Sequence, residues 1–75
     1  MKIKFKEPIQ LEVVTALIPI SEEPIFEDVD FLLGDIENVI LLEFNEEFKT
    51  TAIQFGDGTI AFGVPNTVFE IVEFD

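Results

Sequence analysis

Asp57-Gly58 sits between two alternating runs, Thr51-Ala52-Ile53-Gln54-Phe55-Gly56 and Thr59-Ile60-Ala61-Phe62-Gly63-Val64. No other feature restricts the fold of this chain so sharply. An Asp-Gly pair tolerates the positive backbone angles that a two-residue hairpin turn requires. Alternation on both sides supplies the two strands. With that turn, Phe55 is expected opposite Ile60 and Ile53 opposite Phe62 on one face, with Gln54 and Ala61 on the other.

Other segments read as strands too. Residues 2–6 alternate, with Ile3 and Phe5 on one side and Lys2, Lys4 and Lys6 on the other. Pro8 marks a bend or an edge. Ile9, Leu11 and Val13 resume the alternation, and residues 13–18 are apolar on both faces. Pro19 and Pro24 bracket a loop. Residues 38–44 form a strand, Asn45-Glu46-Glu47 a turn, and Val68–Phe74 a closing strand. Residues 25–33 are ambiguous. Ile25, Phe26, Val29, Leu32 and Leu33 fit a helical stripe closed by Gly34, whereas Val29–Leu33 also passes as a strand entering a Gly34-Asp35 turn. The fold expected is mainly β: one domain over residues 1–75, either a small SH3-like barrel or a curled antiparallel sheet of five to six strands. A short helix near residues 24–33 is the alternative to a strand there.

The barrel expectation comes from a resemblance. Gly34-Asp35-Ile36-Glu37-Asn38-Val39 enters a strand, and another strand ends in Phe55-Gly56-Asp57-Gly58-Thr59. Gly63-Val64-Pro65 and the strand Val68-Phe69-Glu70-Ile71-Val72 follow. This order resembles the second half of SH3-like barrels, including Tudor-type ones, over residues 34–74. The resemblance implies a binding module. Peptide- and methyl-lysine-binding members build their grooves and cages from Tyr and Trp, and this chain has neither. Their ligand sites are therefore not carried over.

Size explains the composition. A core in 75 residues is near the lower limit for self-sufficient folding. The chain answers with nine Phe, the aromatic that needs no polar partner when buried. Most are expected in the core, with one or two at a contact surface. Disorder is excluded by a 48% hydrophobic content and a mean hydropathy of +0.38. No run approaches a membrane span and no leader pattern is present, so no membrane partner is expected and the cytoplasm is the default compartment.

Charge narrows function further. Sixteen acids against four Lys give a net charge of −12. Residues 1–6 hold three Lys, and residues 7–48 hold twelve acids with no base. Direct nucleic-acid binding is disfavoured, because it needs cations to displace counterions. With no Cys, no His and a single Ser, nucleophilic, zinc, haem and thiol chemistry lack their residues, so no enzyme and no cofactor is expected. Asp28-x-Asp30 begins a calcium-loop spacing, but Leu32 stands where the next oxygen ligand belongs.

Two functions remain. One is a non-enzymatic inhibitor or regulator whose acidic surface binds a basic protein, including a nucleic-acid-binding protein engaged by DNA mimicry. Asp28, Asp30, Asp35, Glu37, Glu46 and Glu47 are the expected partner-binding residues. The other is an assembly module that forms homo-oligomers, or adds a strand to a partner sheet, through apolar contacts and unpaired edges at residues 2–6 and 68–74.

Overall fold

The computed structural model describes residues 1–15 and 25–74. Seven strands follow in chain order: β1 (Lys2–Phe5), β2 (Ile9–Thr15), β3 (Ile25–Phe31), β4 (Ile36–Asn45), β5 (Thr50–Phe55), β6 (Ile60–Pro65) and β7 (Phe69–Glu73), with a single 3₁₀ turn at Asn66–Val68 before the last. They form one antiparallel sheet in the order β3-β2-β6-β5-β4-β1-β7. The mainly β expectation holds, with seven strands where five to six were expected. The loop expected at residues 19–24 lies outside the described residues.

The helical alternative at residues 24–33 gives way to β3. All seven residues of β3 pair with β2, from Ile9 opposite Phe31 to Thr15 opposite Ile25. A helix this short is marginal by itself, whereas β2 offers a complete row of backbone partners. Leu32 and Leu33, assigned to the helical stripe, sit exposed in the turn after β3. That turn closes through Gly34, whose φ of +89° suits glycine. It is tied to β1 by Gly34 N–H donating to the Phe5 carbonyl at 2.8 Å and Phe5 N–H donating to the Asp35 carbonyl at 2.9 Å.

The β5–β6 hairpin forms, with a loop one residue longer than expected. Phe55 N–H donates to the Thr59 carbonyl at 2.8 Å, so Gly56-Asp57-Gly58 is a three-residue loop. Gly58 takes a φ of +91° at the left-handed position of such a loop. Ile53 therefore opposes Ala61 and Gln54 opposes Ile60. Further along, Thr51 opposes Val64, so an extra residue enters β6 at Phe62-Gly63, where Gly63 has a φ of +66°. The consequence corrects the expected register. Ala61 is buried in the core and Phe62 is 66% exposed.

β4 joins the two halves of the sheet. Its first residues, Ile36 to Asn38, pair with β1, and Val39 to Asn45 pair with β5. A bulge at Ile40 lies at the changeover, and bulges sharpen the bend of a sheet. The bend lets the sheet curl on itself. Phe5 of β1 and Phe31 of β3, far apart in strand order, stack with ring centroids 4.4 Å apart, and Phe31 stacks on Phe55 of β5 at 5.4 Å. Ile3, Ile53, Val64 and Phe69 complete the centre of the core. The buried Thr51 hydroxyl donates to Asn66 Oδ1, anchoring the 3₁₀ turn that leads into β7. Val68, expected as the first residue of the closing strand, is instead buried within that turn.

Among the described residues the sheet's edges are β3 and β7. β1 lies between β4 and β7, so residues 2–6 are not the edge that was expected, whereas the closing strand is. Four Phe are buried, at 5, 31, 55 and 69. The other five, Phe26, Phe44, Phe48, Phe62 and Phe74, are each more than half exposed. That exceeds the one or two expected outside the core.

Candidate docking face

The six acids expected to form a partner surface fall into four places. Asp28 and Asp30 project from the outer face of β3, opposite Glu12 and Gln10 of β2. Asp35 is committed locally, since its Oδ2 accepts the Leu32 N–H at 2.8 Å. Glu37 faces inward on β4, opposite Ile3. Glu46 and Glu47 lie in the β4–β5 turn. β4 spans roughly 30 Å at ~3.3 Å per residue, and Glu37 and Glu46 lie near its opposite ends.

Glu37 lines a cleft of about 450 Å³ with Glu27 and Asp57, over a floor that includes Phe31 and Phe55. Burial, and then the charges of Asp35 and Asp57, push the Glu37 carboxyl above its ordinary range. Asp57 is shifted the other way. The Thr59 N–H and hydroxyl both donate to its Oδ1, at 3.0 and 2.7 Å, and favour its charged form. Among the described residues no group of three or more acids is placed to hold a metal ion, and no helix is long and apolar enough to cross a membrane.

The feature that sequence reasoning missed is apolar. The register places Leu41, Gln54, Ile60, Val14 and Phe26 side by side across β4, β5, β6, β2 and β3. The neighbouring inward row, Leu42, Ile53, Ala61 and Val13, is core. The first row therefore lies on the outer face, with Leu41 and Phe26 more than half exposed at its two ends. Phe62 projects beside it, next to a groove of about 440 Å³ that Glu43, Glu46 and Ala52 also line. Acids border the row at both ends: Glu43 on β4, and Glu12 and Asp28 on β2 and β3. Twelve large hydrophobic side chains are at least 45% exposed among the described residues. Three of them, Phe26, Leu41 and Phe62, belong to this face.

Alternation puts Glu12 and Val14 on one face of β2, but their neighbours depend on the β2–β3 pairing. The three-residue loop, which sets Ala61 opposite Ile53, turns Phe62 outward, and the bulge at Phe62-Gly63 then returns Val64 to the core. Compared with protein-family models, curated proteins and solved structures, the chain matches none.

Proposed function

We propose that this chain is a non-catalytic protein-binding domain that engages the basic surface of another protein, as an inhibitor or regulator. The observation that carries this reading is the outer apolar row with carboxylates at both ends. Such a face suits a partner that presents apolar side chains among Lys and Arg. The apolar part supplies the area term of affinity. The acids steer encounter and reject acidic competitors. A nucleic-acid-binding protein is one such partner, and the net charge of −12 gives the domain a field of the sign that duplex DNA carries.

We also infer an SH3-like barrel. With the β2–β3 hairpin set aside, the strand order is β7-β1-β4-β5-β6, a meander flanked by the first and last strands. The 3₁₀ turn directly before β7 and the curl that brings β3 to β1 support the same plan.

The test is capture from a lysate at low salt, repeated with excess duplex DNA and at high salt. A basic protein that is displaced by salt, and whose capture Leu41→Asp abolishes, supports the reading. Capture unchanged by both salt and Leu41→Asp overturns it. The second reading, self-assembly through the apolar face, is favoured by the same exposed side chains. Sedimentation of the isolated domain decides it: a monomer at tens of micromolar in physiological salt excludes it.

A further inference from the structure

We propose that the free edge of β3 accepts an extended, lysine- or arginine-rich segment of a partner protein as an added strand. This rests on the reading of the domain as a binder of basic proteins, and it names the place and mode of contact.

Among the described residues the sheet has two edges, and they are not equivalent. β3 offers seven residues and β7 five. β3 pairs with β2 along its whole length without a register shift. Among the described residues its backbone ladder lies on that side alone. A long, regular edge of this kind is a template for another strand. Proteins commonly blunt such edges with charged side chains, Pro or a bulge; β3 has no Lys, Pro or bulge, and acids are its only guard. It carries Asp28 and Asp30 on its outer face and Glu27 on the other. Two copies of β3 side by side would place acids near acids, so the charge closes this edge to self-pairing and leaves it open to a cationic strand.

The lysines separate the two edges further. In β7, Glu70 stands opposite Lys4, and Glu73 Oε2 lies 3.5 Å from Lys2 Nζ. The acids of β7 thus meet cations on the adjacent strand. In β3, Asp28 stands opposite Glu12, Asp30 opposite Gln10 and Glu27 opposite Val13. Three of the four lysines belong to residues 1–6 and the fourth to the β4–β5 turn, so β2 meets no acid of β3 with a cation. The added strand would supply what β2 lacks. Side chains on facing strands come within about 5 Å of each other. Basic residues at alternate positions would meet Asp28 and Asp30, and the apolar residues between them would fall on the face of Val29. The backbone ladder supplies affinity and these side chains specificity.

The probe is an acetylated peptide of about nine residues alternating Lys and Val, long enough to cover the strand. It is titrated into the full, isotope-labelled chain at low salt, with amide exchange read residue by residue. The expected result is slowed exchange within residues 25–31. A peptide N-methylated along its pairing edge should bind at least about tenfold more weakly, as the loss of one or two net backbone hydrogen bonds dictates. The same peptide methylated along its other edge should retain affinity. The Asp28→Lys/Asp30→Lys variant should lose the Lys-Val peptide and gain a Glu-Val one, with amides of β5 unchanged as a check on folding.

Equal binding of the two methylated peptides overturns strand addition, as does protection confined to β7 or a dimer formed through β3 without peptide. Perturbation centred on Leu41, Gln54 and Ile60 instead of β3 also overturns it, but leaves the broader reading of a basic-protein binder standing. Absence of any binding, together with lysate capture that ignores salt and Leu41→Asp, removes both.

Discussion

Glu12 and Asp28 stand directly opposite each other on adjacent antiparallel strands, both exposed on the outer face of the sheet. Like charges in this position are destabilising, by about 0.2–1 kcal/mol. Asp28→Lys converts the repulsive pair into an attractive one. The expected outcome is a gain of roughly 1 kcal/mol in urea unfolding, equivalent to a rise in Tm of about 4–8 °C for a domain of this size. The same variant is expected to bind a basic partner less well. A gain in stability with a loss of binding would place this pair among the features kept for contact at the expense of the fold.

The repulsion is general as well as local. A net charge of −12 on 75 residues is opposed by few cations, and salt screens exposed charges over about 8–10 Å. Tm is expected to rise between low and physiological ionic strength, measured by calorimetry. A flat response would mean that the acids are too dispersed to repel.

Two phenylalanines should differ sharply. Phe31 is buried between Phe5 and Phe55. Phe31→Ala is expected to cost about 3–5 kcal/mol, enough to unfold much of a small domain. Phe62 lies on the surface beyond the β6 bulge, so Phe62→Ala is expected to change stability by no more than about 0.5 kcal/mol while weakening partner binding. Chemical denaturation of the two variants checks the pair.

The bulge itself has a signature. Gly63 has a φ of +66° and open space where a Cβ would go. Only backbone strain opposes a side chain there. Gly63→Ala is expected to cost about 1 kcal/mol, and a neutral result in urea titration would mean that β6 can release its extra residue.

Two carboxyls give opposite pH dependences. The Glu37 carboxyl is held above its ordinary 4.5 by burial and by Asp35 and Asp57. The folded state binds this proton more tightly than the unfolded chain does. Its contribution is therefore greatest below 4.5 and declines as pH rises through the raised value. Glu37→Gln is expected to raise Tm at neutral pH and to have little effect in acid. Asp57 is held below its ordinary 3.8 by the Thr59 N–H and hydroxyl. Its contribution is present above 3.8 and is lost as pH falls through the lowered value. Asp57→Ala is expected to lower Tm at neutral pH, with the difference shrinking in acid.

Where residues faced a single neighbour by local rule, the fold was legible in the sequence. Ile3 and Phe5 alternate with lysines and are core, and Gly34 and Gly58 stand in turns. What escaped depended on pairing between distant segments. Ile25 and Phe26 fit only the helical stripe, and the strand alternative began at Val29; pairing with β2 moves the strand to Ile25–Phe31. Asp57-Gly58 announced a hairpin, but a three-residue loop with an Asx contact to Thr59 shifted its register and sent Phe62 outward. The acids were visible as charge and invisible as arrangement. Asp28 and Asp30 belong beside the apolar row, Glu37 belongs to a cleft, and Glu46 lies at the far end of β4.

The position of β1 between β4 and β7 bears on the order in which the chain can fold. β2–β3, β4–β5 and β5–β6 are hairpins between successive strands, and each can form soon after its second strand is available. β1 waits longest, because its ladders need residues 36–38 and 69–73. During synthesis Ile3 and Phe5 leave the ribosome early and remain without a core until the last strand emerges. Phe31, already able to stack on Phe55, acquires Phe5 as its second stacking partner only when β1 docks. Docking of β1 is thus the slow, long-range step, and its failure would leave an apolar segment exposed for a chaperone to hold.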